Sequence, residues 1–238
     1  MLFRSTYTGR TRVSAGTLTL AATGSLASGV DVATGTTFNN NGAVNSDVVN
    51  AGTFNNNATG TVNGGVGNSG TFNNAGTASG GVTNTGTGIV NTTGVINGGL
   101  TNSATVNASG QVNGAIVNQG AGVFTVTGAL TGNNTFTNSG TARLVVSGGN
   151  FTGLTTITNN GTAANAVSIS AGRTLSSTVA YNNNAGTTTN AGTLTSPVIA
   201  NAAGATLTST GTINAATSLT NAGTMNAEGT INTALDRK

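Results

Sequence analysis

The sequence of 238 residues predicts an all-β fold, a parallel β-helix (β-solenoid) with coils of roughly 16–18 residues. Three observations lead to this prediction: a recurring four-residue motif, regularly spaced apolar residues, and asparagines that repeat with the same period. The motif Asn-x-Gly-Thr begins at Asn50, Asn68, Asn74, Asn84, Asn138, Asn159, Asn184, Asn190 and Asn221. Because Gly and Asn tolerate sharp backbone turns, each motif predicts a corner between two short strands.

The apolar residues predict the inside of the coil. They are 6, 6 and 4 residues apart, as at Val32, Phe38, Val44 and Val48, whereas a helix needs apolar residues three and four apart. In one longer unit, Gly88 takes an apolar position. We expect three short strands per coil, with successive coils stacked about 4.8 Å apart. The predicted core residues are Val32, Phe38, Val44, Val48, Phe54, Val62, Val66, Phe72, Val82, Leu100, Val106, Val112, Ile116, Leu219, Met225 and Ile231.

The repeating polar residues predict ladders between coils. Equivalent Asn or Thr side chains one coil apart can hydrogen-bond to each other, so we assign these columns a structural role. The main asparagine column runs through Asn50, Asn68, Asn84, Asn102 and Asn118, and the threonine column through Thr53, Thr71, Thr87 and Thr105. Two further columns run through Asn39, Asn55, Asn73, Asn107 and Asn226, and through Asn45, Asn63, Asn97, Asn113 and Asn232.

The repeats also predict how the chain is organised. Residues 1–13 are expected to be a linker or a broken coil, and residues 14–238 a single β-helix segment. The coils are expected to be regular over 32–118 and 199–235 and less regular over 119–198. Pro197, the one proline, is predicted at a corner, because proline removes a hydrogen bond from a strand ladder.

The composition excludes most catalytic and cofactor chemistry. The chain has no His and no Cys, and therefore no His-dependent nucleophile, thiolate, haem or iron–sulfur site and no disulfide. Serine without a neighbouring base is not an activated nucleophile, so we expect a non-enzyme without cofactors. Charged residues are 5% of the chain, and none occurs between Asp47 and Arg143. No basic stripe is present, so we do not expect nucleic-acid binding.

One acid pair is a candidate site. Asp31 and Asp47 are 16 residues apart, which predicts the same position in adjacent coils. Paired carboxylates can bind calcium or perform acid–base chemistry on sugars. No arginine or third acid is predicted in their column, so two solvated surface acids are the favoured interpretation.

A family resemblance adds a biological setting. The runs NAGTFNNNATGTVNGGV, NSGTFNNAGTASGGVTNTGT and SAGTLTLAATGSLASGVDVATGTTF resemble the passenger repeats of bacterial autotransporters and related large adhesins. The resemblance implies a right-handed parallel β-helix, exported by a type V route and either displayed on the outer membrane of a Gram-negative bacterium or secreted. It implies membrane contact only through a translocating β-barrel. The chain ends INTALDRK and contains neither such a region nor an export signal, so we expect a passenger segment. The strict spacing of six from Leu207 to Ile231 also suits a left-handed helix.

The leading hypothesis is a non-catalytic structural or adhesive rod. Its flat Asn/Thr face would contact a host or cell-surface ligand, and self-association is a further option. One alternative is an ice-binding β-solenoid, which the threonine column favours, although Thr-x-Thr pairs are not expected to recur in register. The other alternative is a polysaccharide-acting β-helix enzyme that uses Asp31 and Asp47.

Overall fold

The computed structural model describes residues 9–234, which form strands, turns and loops without a helix. The fold prediction is confirmed: the chain is an all-β parallel solenoid of about 12 turns, with coils about 18 residues apart. The chain is divided into two compact units, unit 1 up to Gly114 and unit 2 from Ala115. Residues 1–8 of the predicted linker lie outside the described residues, while Thr11–Val13 form the first strand.

Unit 1 consists of short strands that form three faces. Its strands are β1 (Thr11–Val13), β2 (Thr17–Leu20), β3 (Ser25–Leu26), β4 (Val30–Val32), β5 (Thr37–Asn40), β6 (Ala43–Val44), β7 (Val48–Asn50), β8 (Thr53–Asn56), β9 (Thr61–Val62), β10 (Val66–Asn68), β11 (Thr71–Asn74), β12 (Thr77–Ala78), β13 (Val82–Asn84), β14 (Ile89–Thr92), β15 (Val95–Ile96), β16 (Leu100–Asn102) and β17 (Thr105–Val112). Every third strand pairs in parallel, so face 1 runs from β1 to β16. Face 2 begins with β2 and face 3 with β3, and β17 contributes to both.

The inside of unit 1 is an apolar column filled by one or two side chains from each strand. The rings of Phe38 and Phe54 stack 5.3 Å apart between centroids, and those of Phe54 and Phe72 stack 5.0 Å apart. The next residue in this column is Val90, which pairs with Phe72 and is fully buried. Gly88, which the sequence suggested for this position, lies in the preceding corner. The difference arises because this coil is two residues longer than the one before it, and the added residues enlarge the corner before face 2. In that corner the Gly88 N–H donates to the Thr85 carbonyl.

Unit 2 has longer strands. They are β18 (Ile116–Asn118), β19 (Val123–Gly132), β20 (Phe136–Gly140), β21 (Arg143–Val146), β22 (Phe151–Gly161), β23 (Val167–Ile169), β24 (Thr174–Asn183), β25 (Thr187–Asn190), β26 (Thr193–Asn201), β27 (Thr206–Ser209), β28 (Thr212–Asn221), β29 (Thr224–Ala227) and β30 (Thr230–Thr233). Within unit 2, face 1 is the one that contains β18 and β20, face 2 the one that contains β21, β23, β25, β27 and β29, and face 3 the one that ends with β30. Strands β22, β24, β26 and β28 each begin on face 3 and continue onto face 1 of the next coil. The register between them shifts at this bend, which absorbs residues added to the coils.

Burial of the predicted core differs between the interior coils and the last one. The thirteen predicted residues from Val32 to Ile116 are all buried. Leu219 and Met225 are half-buried, and Ile231 is 42% exposed. The expectation of a buried core does not hold for these three residues, because within the described residues no further coil covers them.

Candidate functional site

The Asn-x-Gly-Thr motif forms corners, and in seven of its nine copies the asparagine side chain is buried inside the coil; Asn184 and Asn221 are exposed. Asn50, Asn68, Asn84 and Asn102 of unit 1 end successive face 1 strands and are at most 2% exposed. Their amides form a ladder, with each Nδ2 donating to the Oδ1 of the next coil over 2.7 to 2.8 Å. A second N–H of each donor amide bonds to a backbone carbonyl near the corner, such as that of Thr71 for Asn50. The ladder therefore satisfies buried backbone and side-chain groups together.

Unit 2 repeats this ladder on face 1. Asn118 donates to Asn138, and the column continues through Asn159, Asn183, Asn201 and Asn221 with amide distances of 2.7 to 3.1 Å.

Two buried amide oxygens among the described residues lack a hydrogen-bond partner, Oδ1 of Asn50 and Oδ1 of Asn190. Each belongs to the first asparagine of its column, because the residue one coil earlier is apolar: Val32 precedes Asn50 and Ile169 precedes Asn190. A valine or isoleucine side chain has no donor, so the first Oδ1 stays unsatisfied.

A second buried ladder, which was not predicted from the sequence, lies at the end of face 2. Asn40 donates to Asn56 and Asn56 donates to Asn74, each over 2.8 Å, and Asn74 donates to the Thr92 hydroxyl over 3.2 Å. The run Thr-Phe-Asn-Asn contained the signal. Side chains alternate along a strand, so an inward Phe38 implies that Asn39 points outward and Asn40 inward.

The outward side of face 2 in unit 1 presents a regular uncharged array, which we call the contact face. Its members are Thr37, Thr53, Thr71, Ile89 and Thr105, together with Asn39, Asn55, Asn73, Asn91 and Asn107. The five asparagines form a continuous ladder in which each Nδ2 donates to the preceding coil over 2.8 to 2.9 Å. Shorter outward ladders join Asn63 to Asn45 and Asn113 to Asn97 on face 3.

The threonine column differs from the prediction at one coil. Thr71 pairs with Ile89, and Ile89 pairs with Thr105, so Thr87 is not part of the column. Thr87 lies exposed in the enlarged corner that displaced Gly88, because the two extra residues precede the strand. Ile89, 38% exposed, takes the position instead.

Unit 2 carries threonine arrays on two faces. On face 2, Thr187, Thr206 and Thr224 are in register. The pair Thr187-x-Thr189 is in register with Thr206-x-Thr208, which corrects the expectation that such pairs do not recur in register. On face 3 a four-coil column contains Thr174, Thr193, Thr212 and Thr230.

The acid pair lies beside an arginine that the sequence analysis did not connect with it. Nε of Arg10 donates to Asp31 over 2.7 Å, and Nη1 donates to both carboxylate oxygens of Asp47 over 2.8 and 2.9 Å. The two acids do not occupy one column, because Asp31 pairs with Arg12 on one side and Val49 on the other. All three side chains are partly exposed, between 38 and 46%. The missed signal was the neighbouring Arg10, which was predicted to belong to a linker or a broken coil.

The contacts with Arg10 disfavour the acid–base chemistry considered for the pair. Hydrogen bonds from Arg10 hold the pKa of Asp47 below its usual range, whereas a general acid needs a raised pKa. Calcium takes six to eight oxygen ligands. Between residues 9 and 234 no group of three or more His, Cys, Asp or Glu side chains could hold a metal ion.

The remaining titratable residue of interest is Tyr181, which lies inside unit 2. Its hydroxyl is 2.5 Å from that of Thr188, which donates to Oδ1 of Asn183 over 3.0 Å. Burial raises the pKa of the Tyr181 hydroxyl, and the Thr188 hydrogen bond opposes this effect. The group has no access to solvent and joins the core to the asparagine ladder.

Comparisons with known proteins did not assign the chain to a family. Neither the scan against protein-family models nor the search of curated proteins found a match for this chain. In the part of the chain that the structure describes, no helix is long and apolar enough to cross a membrane.

Proposed function

We propose that the chain is a non-catalytic structural or adhesive solenoid segment, displayed on the surface of a Gram-negative bacterium or secreted from it. In this proposal it is a passenger segment of an autotransporter-like adhesin. The observation that carries the proposal is the contact face of unit 1. It repeats an outward amide on five successive coils, with no charged residue in the array.

The contact face retains hydrogen-bonding capacity. An asparagine amide has two N–H donors and an oxygen with two lone pairs. The outward ladder uses one donor and one lone pair of an interior member such as Asn73, so a donor and an acceptor remain on each coil. Individually weak contacts repeated along a surface give strong attachment through multivalency. This arrangement supports adhesion to an extended polar surface.

Attachment assays with charged variants test the adhesive role. Beads coated with the full chain are applied to cultured epithelial cells and to immobilised collagen. The double variant Thr53→Lys/Thr71→Lys places two charges on the contact face, and Thr83→Lys/Thr101→Lys places them outward on face 1 as a matched control. We expect several-fold weaker attachment for the first variant alone. Equal attachment of both variants, with circular dichroism unchanged, would overturn the proposal.

An immunoblot of fractionated source cells tests the location. We expect a band in the outer-membrane fraction or the medium, and loss of the cell-associated band after external protease treatment. A protease-resistant band in the cytoplasmic fraction would contradict display and secretion.

Ice binding is the second candidate function, because the threonine arrays of unit 2 are in register. Neighbouring threonines are about 4.8 Å apart between coils and about 6.7 Å apart along a strand, which gives a regular lattice. Thermal hysteresis of the purified chain tests this candidate. Measurable hysteresis that falls in a Thr206→Lys variant is expected if the array binds ice, and hysteresis at the level of buffer rejects it.

A further inference from the structure

A groove of about 550 Å³ in unit 2 lies outside the contact face. It follows the bend at which β24, β26 and β28 pass from face 3 to face 1, and it extends to β30. Because it crosses four successive coils, it is about 14 Å long at the usual spacing of parallel strands.

The groove exists because the bend is irregular. Ser196 pairs with Ala215, and Val198 pairs with Ser218, so Pro197 opposes two residues, Ala216 and Thr217. Proline has no N–H to donate. The unequal number of residues on the two strands therefore removes few backbone hydrogen bonds from the strand ladder at this position. The sequence analysis placed Pro197 at a corner, and the structure places it at this bend with Ala215 and Ala216 beside it on the groove surface.

One wall of the groove is a polar column with the period of the coils. Nδ2 of Asn232 donates to Oδ1 of Asn214 over 2.8 Å, and Nδ2 of Asn214 donates to the Thr195 hydroxyl over 3.1 Å. Each amide keeps a second N–H that this column does not use. The groove surface is therefore mostly apolar, with a few hydrogen-bonding groups repeated on successive coils along one wall.

We propose that this groove binds an uncharged linear oligosaccharide lying along the stacking direction of the coils. None of the lining residues is charged, so the groove offers no partner to an acidic or basic ligand. The C–H faces of sugar rings match the alanine and proline side chains, and repeated hydroxyls match the Asn and Thr column. A peptide that binds by strand addition needs a free strand edge. Strands β24, β26 and β28 are paired on both sides, so they offer no such edge. Within the described residues β30 is paired with β28 alone, and the decapeptide probe tests strand addition at that edge.

Calorimetric titration of the full chain tests the proposal. The probes are cellopentaose, maltopentaose and chitopentaose, with a pentamer of galacturonic acid and an uncharged decapeptide as comparisons. Ala216→Trp fills the groove from an exposed position, and Asn214→Ala removes the central amide of the wall. Asn63→Ala removes an outward ladder amide from face 3 of unit 1, outside both the groove and the contact face, and is the matched control.

We expect saturable binding of at least one neutral pentasaccharide, weakened at least tenfold by Ala216→Trp and by Asn214→Ala and unchanged by Asn63→Ala. No binding of any neutral probe, binding that survives Ala216→Trp, or tighter binding of the acidic sugar or the peptide would each overturn the proposal. The bead assay on the contact face is independent of these outcomes, so the two proposals can fail separately.

Discussion

Equivalent residues of successive coils are 16 to 20 positions apart in unit 1 and 18 to 24 apart in unit 2. Unit 1 turns at tight corners between strands of two to four residues, apart from its last strand, β17. In unit 2, strands of nine to eleven residues bend from face 3 onto face 1, with register shifts at the bend. The buried face 1 ladder nevertheless has the same geometry in both units.

The comparison shows where the fold accepts change. Added residues are absorbed at corners and bends, while each inward position on a face, asparagine or apolar, is kept at one residue per coil. The groove of unit 2 lies at such a bend, and the contact face of unit 1 lies where the coils are most regular. Substitutions should therefore lower the free energy of unfolding most where one coil contacts the next, at the corners and inside the ladders.

Corner glycines are expected to show the largest effect. A Cβ at Gly76 would lie 2.2 Å from the carbonyl oxygen of Gly60 and 2.4 Å from that of Asn57. Gly76→Ala therefore forces two coils apart, and we expect a loss of about 3 kcal/mol or more in the free energy of unfolding, measured with guanidinium chloride. Gly67→Ala is the control, because a Cβ there would meet only the Val48 oxygen, at 4.0 Å. Equal losses for the two variants would contradict the argument.

The second largest effect is expected from the buried asparagine ladder, which should contribute more to the free energy of unfolding than the outward ladder. Asn68→Ala removes amide bonds to both neighbouring coils and leaves groups of Asn50 and Asn84 unsatisfied in the core. We expect a loss of about 2 to 4 kcal/mol, because buried groups without partners carry the desolvation cost. Asn91→Ala breaks the same kind of ladder on the contact face, where water replaces the lost bonds, and we expect a loss below about 1 kcal/mol. Similar losses of unfolding free energy for the two variants would mean that water does not replace the hydrogen bonds lost from the outward ladder.

The first asparagine of the ladder offers a subtler test. Val32→Asn would donate to the unsatisfied Oδ1 of Asn50 and leave only its own Oδ1, beside Val13, without a donor. Val66→Asn would bury a whole amide between Val48 and Val82. Both variants lose the same apolar side chain. We expect Val32→Asn to be less destabilising by about 1 to 2 kcal/mol. A loss of stability at Val32 as large as that at Val66 would show that the new hydrogen bond to Asn50 does not offset the buried amide.

The sequence predicts the inside of this molecule better than its surface. Apolar spacing and the Asn-x-Gly-Thr motif predict parallel coils, because both reflect contacts that every coil must make. Thr87 and Gly88 were misplaced because spacing alone does not reveal which corner receives two extra residues. The Arg10 contacts and the groove at Pro197 depend on side chains from different coils, and a one-dimensional period does not bring these together.

The smallest expected effect concerns the ion pair of Arg10 with Asp47. Its hydrogen bonds lower the pKa of Asp47, so the stabilisation is present above the unfolded-state pKa and is lost as pH falls through the folded-state value. Because these side chains are 38 and 46% exposed, solvent screening limits the contribution to less than about 1 kcal/mol.

Asp47→Asn should therefore be slightly less stable than the unmodified chain at pH 7. The two should converge near pH 2 and also in 1 M salt, where charges are screened. Glu228→Gln in unit 2 is the control, and a difference for Asp47→Asn that persists at pH 2 would show that packing rather than charge explains it.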